Sequence, residues 1–137
     1  MTTRKEFMTK LVSDYGLVPE EDIWKMTRGG KTLAIINRAG IEKIQYGSGI
    51  TVTYQTLVLS EDLVMLKAFA SKGDVVIETM ASAKQGENGN CKSNYVLEVC
   101  EKRAKGRAVL MMEGAYMHGV HTEDESDDFK KENKDER

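Results

Sequence analysis

Cysteine, proline and long apolar runs are all scarce in this chain: it has two Cys and one Pro, and no apolar stretch nears the roughly 20 residues of a bilayer-spanning helix. Cys91 and Cys100 are too few to staple a secreted scaffold, and eight methionines point to a core filled by flexible side chains instead. Both thiols are expected to be reduced. A zinc site would have to recruit His118 and His121, and the resulting gaps of eight, seventeen and two residues match no paired-ligand spacing. Ordinary core or loop cysteines are the simpler reading. Nothing from Met1 to Lys10 is apolar enough for a secretory signal, so the expectation is a cytoplasmic protein without membrane contact. Catalytic motifs are lacking too: there is no phosphate loop, no Gly-x-Ser-x-Gly elbow and no His-Glu-x-x-His. Arg28-Gly29-Gly30-Lys31-Thr32 ends in Lys-Thr, but it lacks the spacer and the preceding strand of a nucleotide site. No cofactor is implied, and the chain does not read as an enzyme.

What is present is charge, at 31% of residues beside 40% hydrophobic, the balance of a single globular domain. The net of −2 conceals a division. Residues 123–137 hold eight acids against four bases, a net of −4, which leaves +2 on residues 1–122. From Lys84 to Arg107 there are six bases and three acids, so positive charge concentrates in one stretch.

Periodicity supplies the elements. Phe7, Leu11, Val12 and Tyr15 fall at helical spacing, and Gly16 with Pro19 would end that helix. Around Trp24 the chain leads into a glycine turn at Arg28–Lys31 and then into Leu33 to Ile36, read as a short buried strand. Asn37 is placed to cap a helix that carries Ala39, Ile41 and Ile44. Ile50 to Val58 alternates as a strand buried mainly on one face, Leu63 to Ala70 follows, and Val75 to Ala81 returns after the turn at Ser71–Asp74. These three form an antiparallel meander, which the Leu33 strand is expected to join. Ala83 to Ser93 reads as an exposed loop. Asn94 is then the expected cap of a long helix to about Met112, with Leu97, Cys100, Ala104, Ala108 and Met111 on the stripe that covers the sheet. Gly106 costs that helix about 1 kcal/mol relative to Ala, which points either to close packing or to a position where the residue is immaterial. The expected fold is therefore α+β over residues 1–122: a three- to four-stranded meander under one long helix, with a short amino-terminal helix. Residues 123–137 are too charged to fold alone and are expected to be a disordered acidic tail.

The basic stretch is the strongest functional feature. Lys84 and Lys92 on the loop and Lys102, Arg103, Lys105 and Arg107 on the helix could line a groove that tracks a phosphate backbone. Arg28 and Lys31 in the glycine turn could extend it, and Tyr46, Tyr54 or Tyr95 could stack on bases. Helical spacing sets Arg103 and Arg107 at the edge of the buried stripe, which favours them over Lys102 and Lys105 for phosphate contact. A plainer reading stands beside this one. Glu98 and Glu101 could pair Lys102 and Lys105 on a solvated face, and each tyrosine could be a core or edge residue. His118 and His121 near Glu123, Asp124 and Glu125 could hold a divalent ion for phosphodiester cleavage, although those acids belong to the acidic run.

The run Glu101-Lys102-Arg103-Ala104-Lys105-Gly106-Arg107-Ala108-Val109-Leu110, then Gly119, then Glu123 to Phe129, resembles the carboxy-terminal part of phage single-strand annealing proteins of the Rad-fifty-two-like superfamily, with its Erf, Sak and Red-beta groups. The order upstream is also similar, from Ile23-Trp24 and Leu33 to Ile36 through three strands to the long helix, so the resemblance spans roughly residues 20–130. Gly106 departs from it where an acid is common, as does Ala83-Lys84-Gln85-Gly86 in the loop. The resemblance implies a β-β-β-α core, ring or filament homo-oligomers, and single-stranded DNA laid along a basic groove without nucleotide hydrolysis. A single-strand binding protein or an exonuclease would be the further partner. The rival expectations are a non-catalytic assembly protein of the same fold and a metal-dependent nuclease.

Overall fold

The computed structural model describes residues 3–125. Helix α1 (Arg4–Tyr15) starts at Thr3, whose side chain accepts from the Glu6 amide. A single turn, α2 (Pro19–Asp22), runs directly into β1 (Ile23–Arg28), which returns as β2 (Lys31–Ile36). Gly29 and Gly30 make that reversal at φ 57° and 77°. Two left-handed residues in succession form the tight hairpin turn that suits strand twist. Arg28 thus faces Lys31, and the pairing runs to Ile23 opposite Ile36. Asn37 caps α3 (Arg38–Ser48), its side chain accepting from the Gly40 amide.

The meander consists of β3 (Thr51–Leu59), β4 (Leu63–Lys72) and β5 (Val75–Lys84), antiparallel in that order. Helix α4 (Val96–Met112) follows, then a 3-10 turn (Tyr116–His118) and β6 (Val120–Thr122), which pairs in parallel with β2. The fold is α+β with two three-stranded sheets, β1-β2-β6 and β3-β4-β5. Helix α4 lies between them, against β4 and β5 on one side and against β6 and α3 on the other. No helix among the described residues is long and apolar enough to cross a membrane.

Several expectations change for one reason, the two-sided burial of α4. The Leu33 strand does not join the meander, because its glycine turn pairs it with the Trp24 segment and β6 takes its other edge. Burial on α4 extends round the helix to Val96, Val109 and Leu110, while Leu97 and Met111 stay exposed. Asn94 is not the cap; its side chain accepts from Gln85, and the residue before the helix is Tyr95. The clean inside-outside alternation belongs to β4, where Val64, Leu66, Ala68 and Ala70 are buried. Strand β3, expected to be half buried, is mostly exposed, because α4 sits over β4 and β5 and only grazes β3. The expectation of disorder over 126–137 lies outside the described residues.

Two-sided packing also explains Gly106. A Cβ there would stand 2.9 Å from Thr122 Cγ2, and Thr122 is itself buried and hydrogen-bonded to Glu125. Gly106→Ala gains about 1 kcal/mol of helix propensity but overpacks a site where such insertions cost about 1–3 kcal/mol. The expected net effect is a lower urea midpoint with an unchanged slope. Thr122→Ser removes the clashing methyl and keeps the hydroxyl, so the double variant should recover the loss. A stabilised Gly106→Ala single variant would mean that contact with Thr122 is not what holds the position to glycine.

Candidate nucleic-acid interface

The eight cations expected to share a groove fall into separate places. Lys84 and Lys92 are exposed beside the first turns of α4, where Val64, Ala83, Cys91, Val96 and Cys100 pack together. Lys31 is exposed at the tip of the other hairpin, with Arg28 opposite it in register. That tip adjoins the amino terminus of α1, since the Arg4 guanidinium donates to the Thr32 carbonyl.

Arg103 and Arg107 are half-buried, and each guanidinium is tied to other parts of the fold. The Arg103 guanidinium donates to the carbonyls of Ser82, at 3.1 Å, and of Asn90. The Asn90 side chain bonds in turn to the Lys84 amide at 2.8 Å and the Ser82 carbonyl at 3.3 Å, so the loop after β5 is tied to both strand and helix. Arg107 donates through Nε to Thr79 Oγ1 at 3.2 Å, reaches Glu125 Oε2 at 3.3 Å, and lies 5.9 Å above the Tyr116 ring. Each guanidinium is thereby fixed in place by two of its five donors. Both were expected to line the groove; in the structure Arg103 is engaged by two carbonyls and Arg107 by a hydroxyl and a carboxylate, groups that demand partners when buried.

Glu125 is tied into the fold, although composition had grouped it with the tail. Its carboxylate accepts from Tyr116 Oη at 2.6 Å, from the Thr122 amide at 3.1 Å and from Thr122 Oγ1 at 3.0 Å. Burial acts to raise its pKa, but the nearby His121 and the hydrogen bonds from Tyr116 and Thr122 outweigh it and hold the carboxyl below its usual range. Burial and the same carboxylate push the Tyr116 hydroxyl far up. His121 Nδ1 is 4.0 Å from Glu125, while His118 stacks on Phe7 with ring centroids 4.5 Å apart. Among the described residues no three His, Cys, Asp or Glu side chains gather closely enough to hold a metal ion.

The continuous polar lane lies elsewhere, along the seam of α3 and α4. A cleft of about 210 Å³ is lined by Arg38 and Glu42 from α3, by Glu101, Lys102 and Lys105 from α4, and by Glu123 and Asp124. Glu42 and Lys105 also border a shallower hollow of about 500 Å³ that carries Tyr46 and opens toward Thr51 at the start of β3. Lys105 is held loosely, 3.9 Å from Glu42, and Lys102 is exposed. Tyr46 is 93% exposed, so its ring faces solvent and not the core. Tyr54, on the side of β3 nearer α4, has its hydroxyl pushed up to about 12 by burial and by the nearby Glu101. The basic stretch therefore contributes Lys102 and Lys105 to the lane, the two given second place on spacing. Arg38 was missed because it stands apart from the run of cations, and only the α3–α4 contact brings it close. No protein-family model, curated protein or solved structure matches the chain.

Arg103→Gln and Arg107→Gln should each lower stability by about 1–3 kcal/mol, the cost of stranding buried hydrogen-bond partners. For Glu125 the folded pKa is depressed, so its contribution is complete above the unfolded value of about 4.3 and disappears as pH falls through the folded value. Glu125→Gln should thus be less stable than wild type at neutral pH, with the gap closing in acid. Melting both proteins from pH 7 downward checks this, and a gap that widens in acid would reverse the assignment.

Proposed function

We propose that the chain binds single-stranded DNA along the α3–α4 lane and promotes the annealing of complementary strands in recombination, in the cytoplasm and without hydrolysing nucleotide. The observation that carries this reading is the exposed Tyr46 ring set beside Lys105, next to the cleft of Arg38 and Lys102. Cations can neutralise a phosphate backbone, and an open aromatic face can stack on an unpaired base. A duplex offers no such base, so the lane favours single strands. The order of elements, with the Leu33 strand, a short helix, three meander strands and a long helix, agrees with the order that the resemblance to annealing proteins implies. Glu42, Glu101, Glu123 and Asp124 outnumber the three cations of the cleft, which keeps each contact weak and reversible. Weak binding suits annealing, where a strand must slide until pairing wins, and assembly of several copies raises avidity by linking sites.

A gel shift of single against double strands, with an annealing assay on complementary oligonucleotides, tests the reading. Tyr46→Ala should weaken single-strand binding by about 1–3 kcal/mol, the range for one base stacked on an aromatic ring. Lys102→Gln with Lys105→Gln should flatten the logarithmic salt slope by about 1.4, at about 0.7 per phosphate on single strands. Neither change should alter the melting temperature. Loss of binding on Lys84→Gln with Lys92→Gln, while the lane variants bind normally, would move the DNA to the loop. Absence of binding at low salt would favour the assembly-protein reading, and strand cleavage on adding magnesium the nuclease.

A further inference from the structure

The meander ends in a strand on each side, and the helix covers neither edge. The outer backbone groups of β3 have no hydrogen-bond partner among the described residues. Natural edge strands are usually blunted by lysine, proline or a covering segment. From Ile50 to Ser60 this strand has no charged residue and no proline, and it leaves Tyr54, Leu57 and Leu59 exposed, the last at 64%. The opposite edge is half closed. At its far end the Ser82 carbonyl accepts from Asn90 and Arg103, and the Lys84 amide donates to Asn90. Among the described residues nothing covers 75–80 in this way, and Val75, Val76 and Met80 are exposed there. Six of the twelve exposed large apolar side chains among the described residues thus lie on these two edge strands. The one acid on the open stretch, Glu78, is answered within the sheet by Lys67 at 3.3 Å.

Self-pairing of β3 about a two-fold axis would cover one edge and leave β5 bare. We propose that β3 of one copy docks on residues 75–80 of β5 in a second copy, continuing the meander from subunit to subunit. One interface then covers both edges. Because β3 and β5 run in the same direction within the meander, a neighbour in the same orientation pairs in parallel. The contact is heterologous, so it repeats and closes into a ring or grows as a helix. The closed end of β5 limits the paired length, which makes each contact weak and the assembly dependent on concentration. This identifies the surface through which copies would meet, and it stands whether or not the lane takes DNA.

The test is sedimentation without DNA over a concentration series from micromolar to hundreds of micromolar. Thr53→Lys with Gln55→Lys blocks β3, and Val76→Lys with Met80→Lys blocks β5; all four positions are exposed. Wild type should form species larger than a dimer, each blocked chain should be monomeric, and an equimolar mixture of the two should form a dimer and nothing larger. That mixture has one open β3 for one open β5. The single changes Gln55→Lys and Met80→Lys repeat the mixing if either double variant melts early. A wild type that stays monomeric, blocked chains that assemble like wild type, or a β5-blocked chain that dimerises alone would each overturn the pairing.

Discussion

Everything in this fold is arranged around a helix that must be apolar on two sides. Helix α4 meets the meander at Cys100, whose thiol lies against the Val64 and Ala81 carbonyls, and meets β6 at Gly106, while Ala104, Ala108, Val109 and Leu110 are buried in the core it shares with both sheets. Small residues at the contacts let both sheets come close, at the cost of helix propensity at Gly106. With two faces buried, only a narrow strip remains for charge, and Glu101, Lys102 and Lys105 stand on it. The cations flanking the strip had to turn in. Arg103 and Arg107 do so because a guanidinium offers several donors in a fixed fork, which suits carbonyls and a carboxylate better than the single ammonium of lysine.

The same placement decides which surfaces stay open. A single helix cannot cover three strands of a twisted sheet when it must also pack against α3 and β6. It settles over β4 and β5, and β3 is left outside despite a pattern that, in isolation, looks half buried. The exposure of β3 is therefore a consequence of the second sheet. The lane along α3 and α4 arises similarly, as the seam where the two halves of the molecule meet above the helix.

The local elements were legible in the sequence wherever a short-range rule governs them. Asn37 as a cap and the three arms of the meander follow from periodicity and turn chemistry within a few residues. The second sheet was not legible, since the parallel pairing of β2 with Val120–Thr122 joins segments far apart in the chain and β6 is too short to carry a pattern. Without it α4 looks like a helix with one buried face, and the stripe through Cys100, Ala104 and Ala108, which are buried, is extended to Leu97 and Met111, which the structure leaves exposed. The role of Glu125 was hidden for a related reason. Composition sees an acid at Glu125, but only the fold reveals that Arg107, Tyr116 and Thr122 converge on it.

Counting cations along the chain measured the right quantity in the wrong coordinate. Six bases between Lys84 and Arg107 suggest one basic face, yet an α-helix turns by 100° per residue and neighbours in sequence point apart. Lys102 and Arg103 are adjacent, and one lines an open cleft while the other is tied to the loop after β5. Arg38, far away in sequence, shares the cleft with Lys102. Fixed arginines and loosely held lysines also differ in what they offer a ligand. Exposed ammonium groups remain hydrated and exchange partners readily, so a lane built on Lys102 and Lys105 with one open ring suits transient contact with a moving chain. A lane built on the two arginines would have been tighter, but the fold could not have released them without losing their ties to its own loop and to Glu125.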